Sequence, residues 1–179
     1  MQESLSRAEG NEMHPLVRLA KKTVEAYVRR GEIFQPKRLS AEMKEKRGVF
    51  VSIHKLGELR GCIGTFESQH GNVAEEIVAN AIGSASRDPR FLPVTRGELR
   101  KLDYSIDVLS QPERVESQDQ LDPRRYGVIV EAGWRKGLLL PDLEGVDTVE
   151  EQVGICRLKA GIDPDEAVEL YRFEVRRYK

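Results

Sequence analysis

The run Leu59-Arg60-Gly61-Cys62-Ile63-Gly64-Thr65, preceded by Val49-Phe50-Val51-Ser52-Ile53 and the link Lys55-Leu56-Gly57-Glu58, decides how this chain folds. β-Branched and aromatic residues crowd the first run, a glycine-bearing link follows, and the second run continues to Phe66, so the two read as a β-hairpin. Strand alternation sets Arg60, Cys62 and Gly64 on one face and Leu59, Gly61 and Ile63 on the other. On a regular strand the guanidinium and the thiol project together, about 7 Å apart. A bulge at a glycine would undo that arrangement. The leucine and isoleucine face is expected to meet the core.

Periodicity extends the reading in both directions. Residues 1–12 read as a flexible lead-in. A helix is expected from His14, with Pro15 at its first position, Leu16, Ala20, Val24, Tyr27 and Val28 as its apolar stripe, and Gly31 at its end. Its basic residues (Arg18, Lys21, Lys22, Arg29, Arg30) form a wet face. Residues 33–46 read as a connector with one helical turn near Ala41. After the hairpin a second helix spans about Asn72 to Ala85, stopped by Arg87-Asp88-Pro89. Leu102 to Val108 alternates as a half-buried strand. Residues 110–125 read as a charged loop. Gly127–Glu131 and Gly137–Leu140 read as strands around Ala132-Gly133-Trp134. Thr148 and Glu151 form a capping box for a third helix that ends at Gly161. Leu170 to Tyr178 reads as one alternating strand with Tyr171, Phe173 and Val175 on one side. Interleaved helices and hairpins give an α+β fold with a mostly antiparallel or mixed sheet flanked by helices.

Composition narrows the function classes. The 179 residues suffice for one domain with a real core. With 29 basic against 30 acidic residues, no bulk field attracts nucleic acid or anionic lipid. No apolar run approaches a membrane span, and the polar N-terminus has no signal-peptide core. Cys62 and Cys156, far apart and outside any CxxC, read as free thiols of a reduced, cytoplasmic protein with no structural zinc.

Cys62 is the candidate catalytic residue: the glycines beside it leave its strand open to another backbone or a small molecule, and Arg60 would favour the thiolate. The competing reading is a small strand residue packed against the second helix. His54 and His70 are the bases that could approach it. Arg60 reads either as a clamp for a carboxylate or phosphate or as an ordinary ion pair. Arg87, Asp88 and Arg90 either bring charges to the same cleft or end the helix. Tyr104 reads as core. Asp103 and Asp107, about 13 Å apart along their strand, read as solvated and too distant to share a metal or proton. Trp134 reads as covering a core edge rather than as an exposed stacking platform.

Taken in order, Leu59 to Phe66, Arg87-Asp88-Pro89-Arg90-Phe91, Leu109-Ser110-Gln111-Pro112-Glu113, Gly137-Leu138-Leu139-Leu140-Pro141 and the tail from Lys159-Ala160-Gly161-Ile162 through Tyr171-Arg172-Phe173 resemble the AMMECR domain family. The likeness runs from about His14 to the C-terminus and is similar to the bacterial form found in the so-called AmmeMemoRadiSam system. It implies one compact domain (residues 13–179) of two unequal lobes, with the LRGCIG strand near a cleft. It also implies two partners, a Memo-like protein and a radical SAM protein, and a merely space-filling Cys156. It supplies no established reaction.

The functional expectation is a cytoplasmic pathway component with a ligand-binding or catalytic cleft for an unknown small molecule. Cys62 would be catalytic, and Arg60, Gly61, Gly64, Arg87, Asp88 and Arg90 would contact ligand. Any metal or radical cofactor would reside in the partners, since this chain has no phosphate loop, HExxH helix or cysteine cluster. The alternative is a non-catalytic adaptor that docks a partner enzyme. An RNA-associated role is the minor alternative, with no RRM, KH or OB signature behind it.

Overall fold

The computed structural model describes residues 13–179. The expected lead-in, residues 1–12, lies outside the described residues. Three α-helices and eight strands follow in the order α1 (Pro15–Arg30), β1 (Val49–Lys55), β2 (Glu58–Thr65), α2 (Val73–Ser86), β3 (Leu102–Leu109), β4 (Glu113–Val115), β5 (Gly127–Ala132), β6 (Arg135–Leu139), α3 (Val149–Ala160), β7 (Glu169–Phe173) and β8 (Val175–Tyr178). Two four-stranded sheets result, ordered β2-β1-β3-β8 and β4-β7-β5-β6, and their strand pairs are antiparallel. The α+β expectation holds.

Cap chemistry sets the helices. His14 Nδ1 accepts the Leu16 N–H, and Gly31 closes α1 in the left-handed region. The Asn72 side chain accepts from Glu75 N–H to start α2. Thr148 and Glu151 form the reciprocal box that opens α3.

Each sheet carries a helix on one face. Leu16, Ala20 and Val24 of α1 and Ile77 and Ala81 of α2 pack on Val49, Val51, Ile53 and Ile106. On the second sheet, Val153 and Cys156 of α3 pack on Val128, Val130 and Leu139. Both contacts depend on a missing side chain. A Cβ at Gly61 on β2 would sit 2.1 Å from the Ser84 carbonyl oxygen of α2, and one at Gly137 on β6 would sit 1.9 Å from the Cys156 carbonyl oxygen of α3. The helices therefore ride directly on bare strand backbone. A third cluster of Leu109, Ile129 and Phe173, joined by Phe50, Phe66 and Tyr171, packs the two sheets together.

Two expectations are corrected here. Residues 170–178 form two strands, not one: β7 pairs in the second sheet and β8 in the first. At the crossing, Ser110 N–H donates to the Glu174 carbonyl at 2.9 Å, and Glu174 N–H donates to Ser110 Oγ at 2.9 Å. The segment leaving β3 for β4 thus runs antiparallel to the one leaving β7 for β8, and together they bridge the sheets. Tyr171, Phe173 and Val175 still share one packed cluster. The supposed loop at 110–125 contains β4 and a 3-10 turn at Gln118–Gln120; β4 escapes notice because three charged or branched residues carry no period.

Candidate functional site

Cys62 lies opposite Ser52 on β1, and Ser52 lies opposite Ser105 on β3, so these three residues form one row across the sheet. They occupy the face away from α1 and α2. Ser52 Oγ donates to Cys62 Sγ at 3.2 Å. The Cys62 backbone is held as firmly: its N–H donates to Asp88 Oδ2 at 2.9 Å, and its carbonyl accepts from Arg90 Nη2 at 3.2 Å.

Asp88 explains the turn after α2. It is only 4% exposed and accepts from Arg90 N–H, Nε and Nη2 as well as from Cys62 N–H. The Arg90 guanidinium, followed by these backbone donors, holds its carboxyl well below the usual carboxylate range against the cost of burial. A second such pair lies across the sheet. Asp107, also 4% exposed, accepts from Arg177 Nε at 2.7 Å and Nη2 at 2.8 Å. This overturns the reading of Asp107 as solvated: β8 pairs beside β3 and brings Arg177 over it. Asp107 and Arg177 both act electrostatically on the Cys62 thiol.

Burial pushes the Cys62 thiol above its ordinary pKa. The Ser52 hydrogen bond and the Arg90 charge pull it down, while Asp107 and Asp88 push it further up. The expected arginine-stabilised thiolate is therefore corrected: burial outweighs the Ser52 hydrogen bond and the Arg90 charge, and the thiol stays protonated at neutral pH. Neither His54 nor His70 acts on it. His70 lies instead against the buried Glu76, with Nδ1 3.3 Å from Oε2. Cys156 is fully buried and burial drives its thiol up to about 12, as befits a packing residue.

The structure gathers Cys62, Asp88 and Arg90 and sends the other expected site residues elsewhere. The register between β1 and β2 shifts next to Gly61: Ile53 faces Gly61 and His54 faces Leu59, which leaves Arg60 without an opposite residue. This bulge turns Arg60 away from Cys62. Its guanidinium forks onto Glu98, Nε to Oε1 at 3.0 Å and Nη2 to Oε2 at 3.1 Å, and Nη1 donates to the Leu92 carbonyl. The carboxylate that Arg60 clamps is the protein's own. Gly61 is occupied by α2, and Gly64 lies under the Phe50 ring, 2.2 Å from where a Cβ would stand. Arg87 turns back along α2 instead, where Nη2 donates to the Ala79 carbonyl at 3.4 Å. Trp134 is 91% exposed at the β5–β6 turn, so it covers no core edge.

Ser52 and Arg177 were missed by sequence reasoning. A serine within a β-rich run carries no chemical signal, and Arg177 belongs to a basic tail whose register only the sheet order reveals. Among the described residues no group of three or more His, Cys, Asp or Glu could hold a metal ion. No helix among them is long and apolar enough to cross a membrane.

A two-sheet α+β domain with one half-buried thiol set between two carboxylate–guanidinium pairs is the class that fold and site define. Comparison with known proteins makes this specific: residues 17–178 match the AMMECR1 family, and the chain belongs to it. A Thermotoga maritima protein is 52% identical over 170 residues, covering 93% of this chain and 98% of its own. A Clostridium acetobutylicum protein is 48% identical over 171 residues, covering 94% of this chain but only 36% of its own length. The crystal structure of an uncharacterized protein from Pyrococcus horikoshii superposes with a TM-score of 0.82 at 36% identity, covering 90% of this chain and 88% of that one.

Proposed function

We propose that the protein binds a small anion, a carboxylate or phosphate compound, between Arg90 and Arg177 and presents it to the Cys62 thiol. One observation carries this reading. Both guanidinium groups act on the thiol, both are anchored by a buried aspartate, and each leaves its Nη1 without a partner among the described residues, on a half-exposed side chain. A guanidinium that is fixed on one edge and open on the other is a preorganised anion donor. The thiol, kept neutral, serves as a proton donor to the bound anion.

The protein would act within a larger assembly, with a Memo-like and a radical SAM partner as the family resemblance implies, in a cytoplasmic pathway of the AmmeMemoRadiSam type. The long C. acetobutylicum relative, in which this domain is about a third of the chain, supports work beside another module.

The test needs no knowledge of the reaction. Iodoacetate is an anion and iodoacetamide is neutral, so the ratio of their rates with Cys62 reports anion steering. The ratio should exceed that of free cysteine and should fall in Arg90→Gln and Arg177→Gln. A ratio equal to that of free cysteine would sink the proposal. Cys156, buried with a thiol pKa of about 12, stays silent, and Cys62→Ala supplies the blank.

A further inference from the structure

On the side of α2 away from Cys62, a cavity of about 590 Å³ opens between α1, the connector after it and α2. Its volume falls in the range of small-molecule sites, roughly 300–1,000 Å³. Helical spacing explains why α2 serves both sides. Ile77, Asn80 and Ser84 face the first sheet, while Glu75, Val78, Ala79 and Ile82, about half a turn around, line the cavity. The opposite wall comes from Tyr27 of α1 and from Ile33 and Leu39 of the connector. Ile33 is 60% exposed, an apolar lip that the described residues leave open.

Charge is uneven along this cavity. At one end, Glu75 is already engaged: Gly71 N–H donates to Oε2 at 2.9 Å, and Asn72 Nδ2 donates to Oε1 at 3.1 Å. Further along α2 stands Arg87, whose side chain folds back along the helix to the Ala79 carbonyl. Its single hydrogen bond is the long one to the Ala79 carbonyl, and no carboxylate among the described residues pairs with it. Arg60, Arg90 and Arg177 each hold a carboxylate; Arg87 holds none. An apolar wall of Ile33, Leu39, Val78 and Ile82 beside an unspent guanidinium fits an apolar molecule with one anionic head.

We infer that this cavity is a binding site for an acyl-type carboxylate, with its hydrocarbon chain along Val78, Ile82 and Leu39 and its carboxylate on Arg87. The site is separate from the anion site at Cys62, which lies on the sheet face away from α2. A carboxylate gains a charge-assisted, forked contact there, whereas an amine of the same length meets repulsion.

Calorimetric titration of the full chain with decanoate, decanol and decylamine, each below its aggregation threshold, reads the assignment. Decanoate should bind tightest and decylamine weakest. Arg87→Gln should weaken decanoate about tenfold, the equivalent of one charge-assisted contact, while leaving decanol within about twofold. Ile33→Glu should weaken decanoate and decanol together. Arg177→Gln, which dismantles the other anion site, should bind decanoate unchanged, and a loss there would place decanoate beside Cys62 instead. The variants are compared at equal thermal stability, and Arg87→Gln forfeits only one long hydrogen bond. No binding of any of the three at millimolar concentration, equal affinity for all three, or unchanged decanoate affinity in Arg87→Gln would overturn the assignment.

Discussion

Replacing Gly61 by alanine should cost the protein about 3–5 kcal/mol, a large loss for one methyl group. The new Cβ would stand 2.1 Å from the Ser84 carbonyl oxygen and 3.0 Å from its carbon, with backbone on both sides of the clash. Ordinary contact begins near 3.4 Å, so α2 must withdraw by about 1.3 Å. No side chain can rotate away to absorb that. Overpacking of this kind costs about 1–3 kcal/mol. Withdrawal also strains two hydrogen bonds through Ser84: Oγ donates to the Val51 carbonyl at 2.7 Å and accepts from Ile63 N–H at 2.8 Å. Each is worth about 1 kcal/mol. At about 2–4 °C per kcal/mol for a chain of this size, Tm should fall by roughly 6–20 °C. Urea unfolding measures the first quantity and a thermal melt the second, both followed by circular dichroism. Gly97→Ala is the control, because a Cβ there meets nothing within 4 Å, and its stability should stay within about 0.5 kcal/mol of the parent. A Gly61→Ala protein as stable as Gly97→Ala would refute the claim that α2 rides on bare β2 backbone.

The pH dependence of iodoacetamide alkylation of Cys62 should place its thiol pKa above the ordinary range; Asp107→Asn, which removes a negative charge and frees Arg177, should lower it, and Arg90→Gln should raise it. The opposite order would show that the carboxylates do not govern the thiol. Because the folded thiol is raised above its unfolded value, its contribution to stability is full below about pH 8.5 and is lost as pH rises above that. Denaturation midpoints taken from pH 7 to 10 should therefore fall less steeply in Cys62→Ala than in the parent. Arg60→Met should destabilise by about 2 kcal/mol, since it strips a fork from Glu98 and two carbonyl contacts at residues 92 and 93. It should nevertheless leave the iodoacetate to iodoacetamide ratio at Cys62 unchanged, and a fall in that ratio would return Arg60 to the anion site.

Both of the glycines that looked like openings for a ligand are filled by the protein itself. Their spacing around Cys62 marked the right strand but suggested the wrong occupant. A missing side chain in a sequence shows that something comes close without showing what. The same limit applies to charge. Arg60, Arg87, Arg90 and Arg177 are chemically alike in the sequence, yet they end on Glu98, on a helix carbonyl, on Asp88 and on Asp107 respectively.

Local chemistry alone settled the hairpin at residues 49–65, the three helices with the capping box at Thr148, the burial of Tyr104, and the α+β class. Those features rest on period and on neighbours within a few positions, so the chain states them directly. Tertiary structure alone decided that the tail divides between two sheets, that a bulge turns Arg60 away from Cys62, and that Asp107 and Arg177, 70 positions apart, close around the thiol. Strand order sets those meetings, and strand order is won by burying three hydrophobic clusters at once. That sum runs over the whole molecule, and no short stretch of sequence contains it.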